Sequence, residues 1–323
     1  MYRAGTALAL FALALMQPTS GQAQDLRLTL PVDCEMGATC FIEDYVDQDP
    51  AEGQQRDFAC GINSRDGHKG TDIAILSFDA LEAGVDVLAA APGVVLRLRD
   101  EMPDDRLMRG VTSENACGNG LIIRHDDGWQ TQYCHLKLGS ISVARGERVE
   151  AGDVIGEIGL SGQTNHPHLH FNVFRDGDLV DPFRPHAFGS CGPVGASLWT
   201  DPPTYHNTGL VTAGFSDRVP SLDEVTSGAA RIGEGRSGAP LVVYAHAGYA
   251  QPGDVLRLTA TGPEGDVFAR DIVLEDPKVS QMQAFGRRAP EGGWPVGEYL
   301  GEAWLIRDGT VMAHRFTHLT VVN

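Results

Sequence analysis

The chain has 323 residues, more than one ordinary compact domain needs, so its length predicts two domains. Its 43 acidic residues outnumber 25 basic ones and give a net charge of −18, which argues against nucleic acid as a partner. Hydrophobic residues make up 42% of the chain, which is enough to form cores and disfavours disorder. The 39 glycines and 18 prolines are spread without a repeat, which disfavours a coiled coil and indicates many turns between short elements.

The first 23 residues have the pattern of a signal peptide. Arg3 precedes an apolar run over residues 4–16, and a small-x-small pattern ends at Ala23. The run is shorter than the roughly 18 to 20 residues that span a bilayer, and no later segment is long enough, so we predict no membrane span after signal cleavage. We therefore expect an exported protein, located in the periplasm, with secretion to the medium as the alternative.

The cysteine count is even, which in an exported chain favours disulfides. None of the spacings is C-x-x-C, so a thiolate zinc site or a redox dithiol has little support. Sequence does not select the pairing, but a hairpin between Cys117 and Cys134 would bring these two together. The six cysteines are Cys34, Cys40, Cys60, Cys117, Cys134 and Cys191.

Residues 72–182 show short strands separated by turn signals, without an apolar period of 3.6, and predict an all-β region. Hairpins are expected at the turns Asp127-Gly128 and Asp176-Gly177, because glycine accepts a positive φ. A polar insertion over residues 99–117 is expected to form a surface loop that could overhang a cleft.

Glycines and prolines in residues 184–207 are typical of an irregular connection and predict a domain boundary. We assign residues 24–200 to the first domain and residues 205–323 to a small antiparallel β-sandwich of immunoglobulin-like kind. Its predicted strands cover residues 241–245, 255–259, 267–274, 299–307 and 311–322, the last two joined by Asp308-Gly309.

Histidines concentrate in the first domain. On a strand, His168 and His170 share one face. His68 and Asp72 stand four apart just before an apolar run, where Gly70 would leave room for close backbone approach. A further histidine, His135, lies on the second strand of the predicted hairpin.

These residue types suit a catalytic zinc site, in which imidazoles and a carboxylate hold the metal and one position stays open for water. Taken singly, each motif has a plainer interpretation: a hydrogen-bonded surface pair for His68 and Asp72, solvated edge histidines for His168 and His170, and a structural histidine for His135. Spacing alone does not show which of His168 and His170 binds metal.

Six segments in order, within about residues 61–182, make this chain resemble the lysostaphin-type (LytM-type) zinc metallopeptidases, which cut peptide bonds of bacterial peptidoglycan. The resemblance implies the duplicated-hybrid-motif β fold of that family. The segments are GHKGTD (67–72), VLAAAPGVV (87–95), GNGLIIRH (118–125), YCHL (133–136), residues 149–162 ending in GEIGLSG, and PHLHF (167–171).

By this resemblance, His68, Asp72 and His170 would hold one Zn²⁺ per chain, and His135 and His168 would form the catalytic pair. The chemistry agrees, because three protein ligands leave a position for water, and one imidazole can take the proton of that water. The other imidazole can stabilise the oxyanion or protonate the leaving amine. Which histidine takes which role stays open.

Some residues depart from the family pattern or need a separate interpretation. Asn172 stands where the family commonly has glutamate, and His166 where it often has glycine. We expect His166 and His125 to be solvated. Asp66 could orient His68, although a solvated turn acid is the preferred interpretation. In the C-terminal domain, His314 and His318 share a strand face without an acidic partner in spacing and are also expected to be solvated.

Two functions of different classes follow. The first is a zinc endopeptidase acting on peptidoglycan peptides; the alternative is a non-catalytic wall-binding or hydrolase-regulating module of the same fold. A cysteine hydrolase using Cys134 is disfavoured, because strand alternation places Cys134 and His135 on opposite faces and a disulfide accounts for the thiol. The C-terminal domain could bind wall glycan, dock a cell-wall or divisome partner, or shield the groove.

Overall fold

The computed structural model describes residue 1 and residues 26–75, 78–105, 108–164, 166–193, 195–276 and 280–323. The signal peptide predicted over residues 1–23 lies, apart from Met1, outside these ranges. Within them, no helix is long and apolar enough to cross a membrane.

The first part of the chain is built almost entirely from antiparallel strands, as predicted. The elements are β1 (Cys40–Asp44), β2 (Thr71–Ile75), α1 (Phe78–Ala83), β3 (Asp86–Leu88), β4 (Gly93–Arg99), β5 (Asn119–Arg124), β6 (Trp129–Leu136), β7 (Arg148–Val149), β8 (Val154–Glu157), β9 (His168–Arg175) and β10 (Asp178–Val180). The main sheet has the strand order β1-β2-β9-β6-β5-β4-β7, with β10 paired to β9, while β3 and β8 form a separate pair.

Both predicted hairpins are present. Asp127 and Gly128 connect β5 to β6 with φ values of 52° and 78°, and Asp176 and Gly177 connect β9 to β10 with 53° and 92°. Two consecutive positive φ values twist the turn in the sense that antiparallel strands require, and aspartate and glycine tolerate them best. These turns fix the register of the strands that carry the histidines.

The second part of the chain is a pair of facing sheets. The elements are β11 (Gly209–Ser216), α2 (Leu222–Thr226), β12 (Glu234–Arg236), β13 (Leu241–Gly248), β14 (Val255–Gly262), β15 (Gly265–Val273), β16 (Ser280–Arg287), β17 (Gly297–Arg307) and β18 (Thr310–Val322). One sheet has the order β11-β13-β16 and the other β12-β18-β17-β14-β15, in which β12 pairs with β18 in parallel. The immunoglobulin-like topology stays a prediction.

Two separate hydrophobic cores lie on either side of the proposed domain boundary. The first includes Tyr133, Phe171 and, from the end of the first part, Trp199. The second includes Phe215 and Tyr299 between the two sheets. We keep the proposed division between residues 200 and 205 because the fully buried residues of each of these two cores come from one side of it, although Tyr205 packs against the first core.

All six cysteines are in disulfides. The predicted Cys117–Cys134 bond is present and ties the end of the polar insertion to β6. The others join Cys34 to Cys40 and Cys60 to Cys191. The Cys60–Cys191 bond closes a loop of 131 residues, so it fastens the segment before β2 to the connection that leads to the second domain.

Candidate active site

Strand pairing brings the predicted metal ligands together. In the antiparallel pair of β2 and β9, Asp72 lies directly opposite His170, and directly opposed residues project to the same face. His68 stands in the turn that leads into β2, where its Nδ1 donates a hydrogen bond to the carbonyl oxygen of Tyr45 at 2.8 Å. Because a carbonyl only accepts, this bond leaves Nε2 as the ring nitrogen that faces Asp72. Burial lowers the pKa of His68, but the negative charge of Asp72 outweighs it and raises that pKa above its ordinary value.

The ligand atoms of these three side chains converge on one point. Asp72 Oδ2 lies 3.0 Å from His68 Nε2, and Asp72 Oδ1 lies 2.6 Å from His170 Nδ1. The two imidazole nitrogens are 3.2 Å apart. Two imidazole nitrogens and one carboxylate oxygen within 4.8 Å of one another are a donor set that fits Zn²⁺.

The side chain of Asp72 is held by a residue that our sequence interpretation missed. Arg65 donates hydrogen bonds both to Asp72 and to Asp44, the latter at 2.5 Å. Burial raises the pKa of Asp72, but the neighbouring histidines and Arg65 outweigh it and hold that pKa well below its ordinary value. Asp72 is therefore an anion fixed in place, and no spacing in the sequence signals the role of Arg65.

Gly70 leaves the space that the sequence predicted. A Cβ atom at this position would lie 2.5 Å from Cε1 and 2.7 Å from Nε2 of His170, much closer than such atoms approach. Any larger residue must therefore displace the imidazole of a proposed ligand.

We expect Gly70→Ala to weaken zinc binding by about 10- to 100-fold, because the added methyl group turns the His170 ring away from Asp72. The dissociation constant can be measured by competition with a chromogenic chelator. Gly238→Ala is the matched control, since no heavy atom lies within 4 Å of a Cβ at that position. An unchanged zinc affinity in Gly70→Ala would contradict the close approach of Gly70 and His170.

His135 and His168 lie next to the ligand group, with ring centroids 4.8 Å apart. His135 Nδ1 donates to the Ser161 carbonyl oxygen at 2.8 Å, and His168 Nδ1 donates to the His166 carbonyl oxygen at 2.9 Å. Each neutral ring therefore keeps its proton on Nδ1 and has a free lone pair on Nε2. His168 Nε2 is buried and has no hydrogen-bond partner among the residues that the structure describes.

Burial lowers the pKa of both rings. Desolvation, together with repulsion from neighbouring histidines, holds the pKa of His135 well below its ordinary value of 6.5. Desolvation also lowers the pKa of His168, against the attraction of Asp72. Both rings are consequently neutral at pH 7 and able to accept a proton.

The alternation argument about Cys134 is wrong. Cys134 lies opposite His170 in the pairing of β6 with β9, so it faces the same side of the sheet as the predicted metal ligands. His135 has a φ of 64°, which interrupts the alternation and turns its side chain to that side as well. The cysteine hydrolase is still disfavoured, because Cys134 is bonded to Cys117 and has no thiol.

The expectation of solvated histidines is also wrong. His125 bonds the Pro92 carbonyl oxygen at 2.7 Å and Thr131 Oγ1 at 2.9 Å. His166 and His314 are almost fully buried where the second domain packs on the first, and their rings are in contact with centroids 4.5 Å apart and planes tilted by 58°. His318 lies near them, half-buried. Burial between two domains has no signature in local sequence.

Two polar residues near His68 hold the turn. Asp66 does not orient His68; it is exposed and accepts a hydrogen bond from the Gly53 amide at 2.9 Å. Asn172, at a position where the family commonly has glutamate, donates to the Lys69 carbonyl oxygen at 2.8 Å. Asn172 therefore ties β9 to the turn that carries His68.

These residues form the floor of an open cleft of about 830 Å³. The first domain lines it with the five predicted site residues and with both cysteines of the Cys117–Cys134 bond. Ser113 and Ala116, from the end of the polar insertion, lie at its edge, in agreement with the expected position of that loop. A cleft of this volume has room for several residues of an extended peptide.

Residues 66–182 match the sequence profile of Peptidase family M23. The chain is 42% identical over 65 residues to the DD-carboxypeptidase/endopeptidase Mpg of Neisseria meningitidis, which covers 20% of this chain and 14% of that protein. It is 29% identical over 117 residues to the peptidoglycan DD-endopeptidase ShyA of Vibrio cholerae, covering 36% of this chain and 22% of that protein. The chain thus spans less than a quarter of the length of either relative.

Among solved structures, the catalytic domain of the antimicrobial peptidase lysostaphin from Staphylococcus simulans is similar to this chain. The sequence identity is 25% and the TM-score 0.28, covering 43% of this chain and 85% of that domain.

Proposed function

We propose that this chain, whose residues 66–182 form a domain of peptidase family M23, is a zinc-dependent endopeptidase that hydrolyses peptide bonds of bacterial peptidoglycan. The observation that carries the proposal is the convergence of His68, Asp72 and His170 next to two further neutral imidazoles. Both of these rings line the cleft, and the Nδ1 of each is bonded to a backbone carbonyl oxygen, which leaves Nε2 as the proton acceptor.

The proposed metal ligands are His68, Asp72 and His170, one zinc ion per chain. When bound, zinc would act as a Lewis acid that makes water more acidic and polarises the scissile carbonyl group. Asp72 supplies the negative charge of the site, and Arg65 keeps its carboxylate oriented towards the two imidazoles. The hydrogen bond from His68 to the Tyr45 carbonyl oxygen sets the tautomer that presents Nε2 to a metal.

His135 and His168 are the proposed catalytic pair. One Nε2 accepts the proton of the attacking water, and the resulting imidazolium can deliver that proton to the leaving amine. Stabilisation of the oxyanion by the other ring requires a proton on its Nε2 as well, that is, the imidazolium form, because its Nδ1 proton is already donated to a backbone carbonyl oxygen. The two rings have equivalent anchoring through Nδ1 to a backbone carbonyl, so the geometry leaves their two roles interchangeable.

The substrate class rests on the relatives and on the cleft. One similar protein is named as a peptidoglycan DD-endopeptidase and another as a DD-carboxypeptidase/endopeptidase. The open cleft suits an extended peptide better than an enclosed small molecule. An exported protein of the periplasm would meet this substrate, which is consistent with the proposed signal peptide and with three disulfides.

The test is mass spectrometry of purified peptidoglycan after incubation with the mature protein. We expect new stem-peptide fragments whose masses identify the cleaved bond, and we expect zinc chelation or His168→Ala to abolish them. Bound zinc of about one per chain without any fragment would contradict the enzymatic proposal and favour a non-catalytic wall-binding or regulatory module.

A further inference from the structure

One wall of the cleft belongs to the C-terminal domain. Opposite the M23 domain, the cleft is lined by residues 211–213 of β11, by Arg231, and by Arg315 and Phe316 of β18. A peptide that reaches the proposed metal site would therefore touch both domains. Two of these residues, Arg315 and Phe316, also contact residues that are bonded to the proposed site residues.

The first contact is an ion-pair chain that begins at Arg315. This arginine donates to Glu43 Oε1 at 3.1 Å and to Asp44 Oδ1 at 2.7 Å. The other oxygen of Asp44 accepts from Arg65, which in turn holds the proposed ligand Asp72. Asp44 is 1% exposed, so it depends on both arginines for its charge balance.

The second contact is a ring stack on the other flank of the site. The ring of His166 contacts the ring of His314, at 4.5 Å and tilted by 58°, and stacks on Phe316, at 4.8 Å with an interplanar angle of 24°. His314 is itself stacked on Trp304 at 3.9 Å. The backbone carbonyl of His166 accepts the Nδ1 proton of His168. Side chains of β18 therefore immobilise the residue that orients a proposed catalytic ring.

We propose that the C-terminal domain is a working part of the active site, in which β18 positions Asp72 through Arg315 and His168 through Phe316. The inference deepens the proposed function and rests on it. Arg315 and Phe316 are positioning residues. They lie beside the histidines and leave the cleft open, so the domain supports the site and does not block it.

Phe316→Ala in the full chain tests the ring stack. Loss of the ring frees His166 and displaces the carbonyl that holds His168, so we expect kcat to fall by roughly 10- to 100-fold, while about one zinc per chain remains bound. Phe316→Tyr keeps the ring and should retain kcat within about threefold. Phe285→Ala is the matched control, a half-buried phenylalanine of the same domain that packs on Phe268 at 5.2 Å, outside the cleft.

These kinetics are measured on a purified cross-linked muropeptide dimer. A rise in KM with unchanged kcat in Phe316→Ala would make Phe316 a substrate contact only and overturn its positioning role. An equal loss of kcat in Phe285→Ala would also overturn it, because the loss would then reflect the stability of the domain. If the wild-type protein cleaves nothing, the proposed function fails, and the exchange experiment below still tests the inference.

Hydrogen exchange with and without zinc tests the coupling without reference to activity. Because β18 supports Asp72 and His168, zinc binding must in return stabilise β18, and we expect slower amide exchange across residues 310–318 of the full chain. Protection confined to residues 66–182 would overturn the inference. Protection of β18 in a protein that cuts no peptidoglycan would sustain the positioning and reject the proposed function.

Arg315→Lys separates geometry from charge in the same experiment. Lysine keeps the positive charge but cannot supply the two guanidinium nitrogens that reach Glu43 and Asp44, so zinc-dependent protection of β18 should weaken. The control is Arg307→Lys, because Arg307 binds both oxygens of Asp254 at 2.8 Å at a place outside the cleft. Equal protection in the wild type and Arg315→Lys would remove the ion-pair chain from the proposal.

Discussion

Replacing His168 with alanine is expected to lower kcat for peptidoglycan cleavage by roughly 10²- to 10⁴-fold, the usual contribution of a positioned proton-transfer group. His168 is 7% exposed and lines the cleft, and its Nε2 has no hydrogen-bond partner among the described residues, so its loss removes one of the two proposed proton acceptors. Zinc content should remain about one per chain, because His168 is not among the three proposed ligands.

The measurement combines steady-state kinetics with metal analysis of the same protein samples. His246→Ala is the control, because His246 is a buried histidine of the second domain whose Nε2 is 2.7 Å from Ser280 Oγ, outside the cleft. His135→Ala should behave like His168→Ala, since its ring has the same anchoring. Loss of zinc in His168→Ala would instead assign that histidine to the metal and require a new ligand set.

Replacing His68 with alanine is expected to remove zinc and activity together. Binding of a structural zinc ion is worth about 10 to 16 kcal/mol, so one ligand of three or four contributes roughly 3 to 5 kcal/mol. This corresponds to a loss of affinity on the order of 10² to 10⁴. The Asp72 carboxylate, left with one imidazole partner fewer, cannot compensate, because it is already held by Arg65.

A chelator competition assay gives the zinc affinity, and the muropeptide assay gives the activity of the same variant. Asp66→Asn is the matched control, because Asp66 lies two residues from His68 but its carboxylate accepts a hydrogen bond from the Gly53 amide and forms none with the proposed ligands. High added zinc should restore part of the activity of His68→Ala. Full activity of His68→Ala after exhaustive chelation would reject metal-dependent hydrolysis.

The sequence alone predicted the sheet and the place of the site. The turns at Asp127-Gly128 and Asp176-Gly177 were identifiable because their backbone conformation depends on the residues themselves. The same holds for the common face of His168 and His170, which follows from strand alternation. Gly70 was predictable too, because only glycine leaves space beside a strand for an imidazole. The assignment of each histidine to metal or catalysis depended on the family resemblance.

Tertiary contacts determined features of the site that the local sequence pattern does not predict. Arg65 reaches Asp72 from a loop, and Arg315 lies 250 residues further along the chain, so no spacing relates them. The same is true of His166 and His314, which were expected in solvent and are buried by domain packing. Strand alternation had also predicted opposite faces for Cys134 and His135. They lie on the same face because His135 has a positive φ at a bulge in the pairing of β5 with β6.

The sequence by itself therefore determined the all-β fold and the hairpins, which follow from short-range backbone preferences. The residues of the candidate site were predicted through motifs shared with a family, and the Cys117–Cys134 pairing was one expected among several, which the structure then confirmed. Only the tertiary structure decided how the second domain meets the cleft and which side chains hold Asp72 and His168 in place. Such contacts join residues far apart in the chain, and their free energy arises from packing and charge pairing that exist only once both domains have folded.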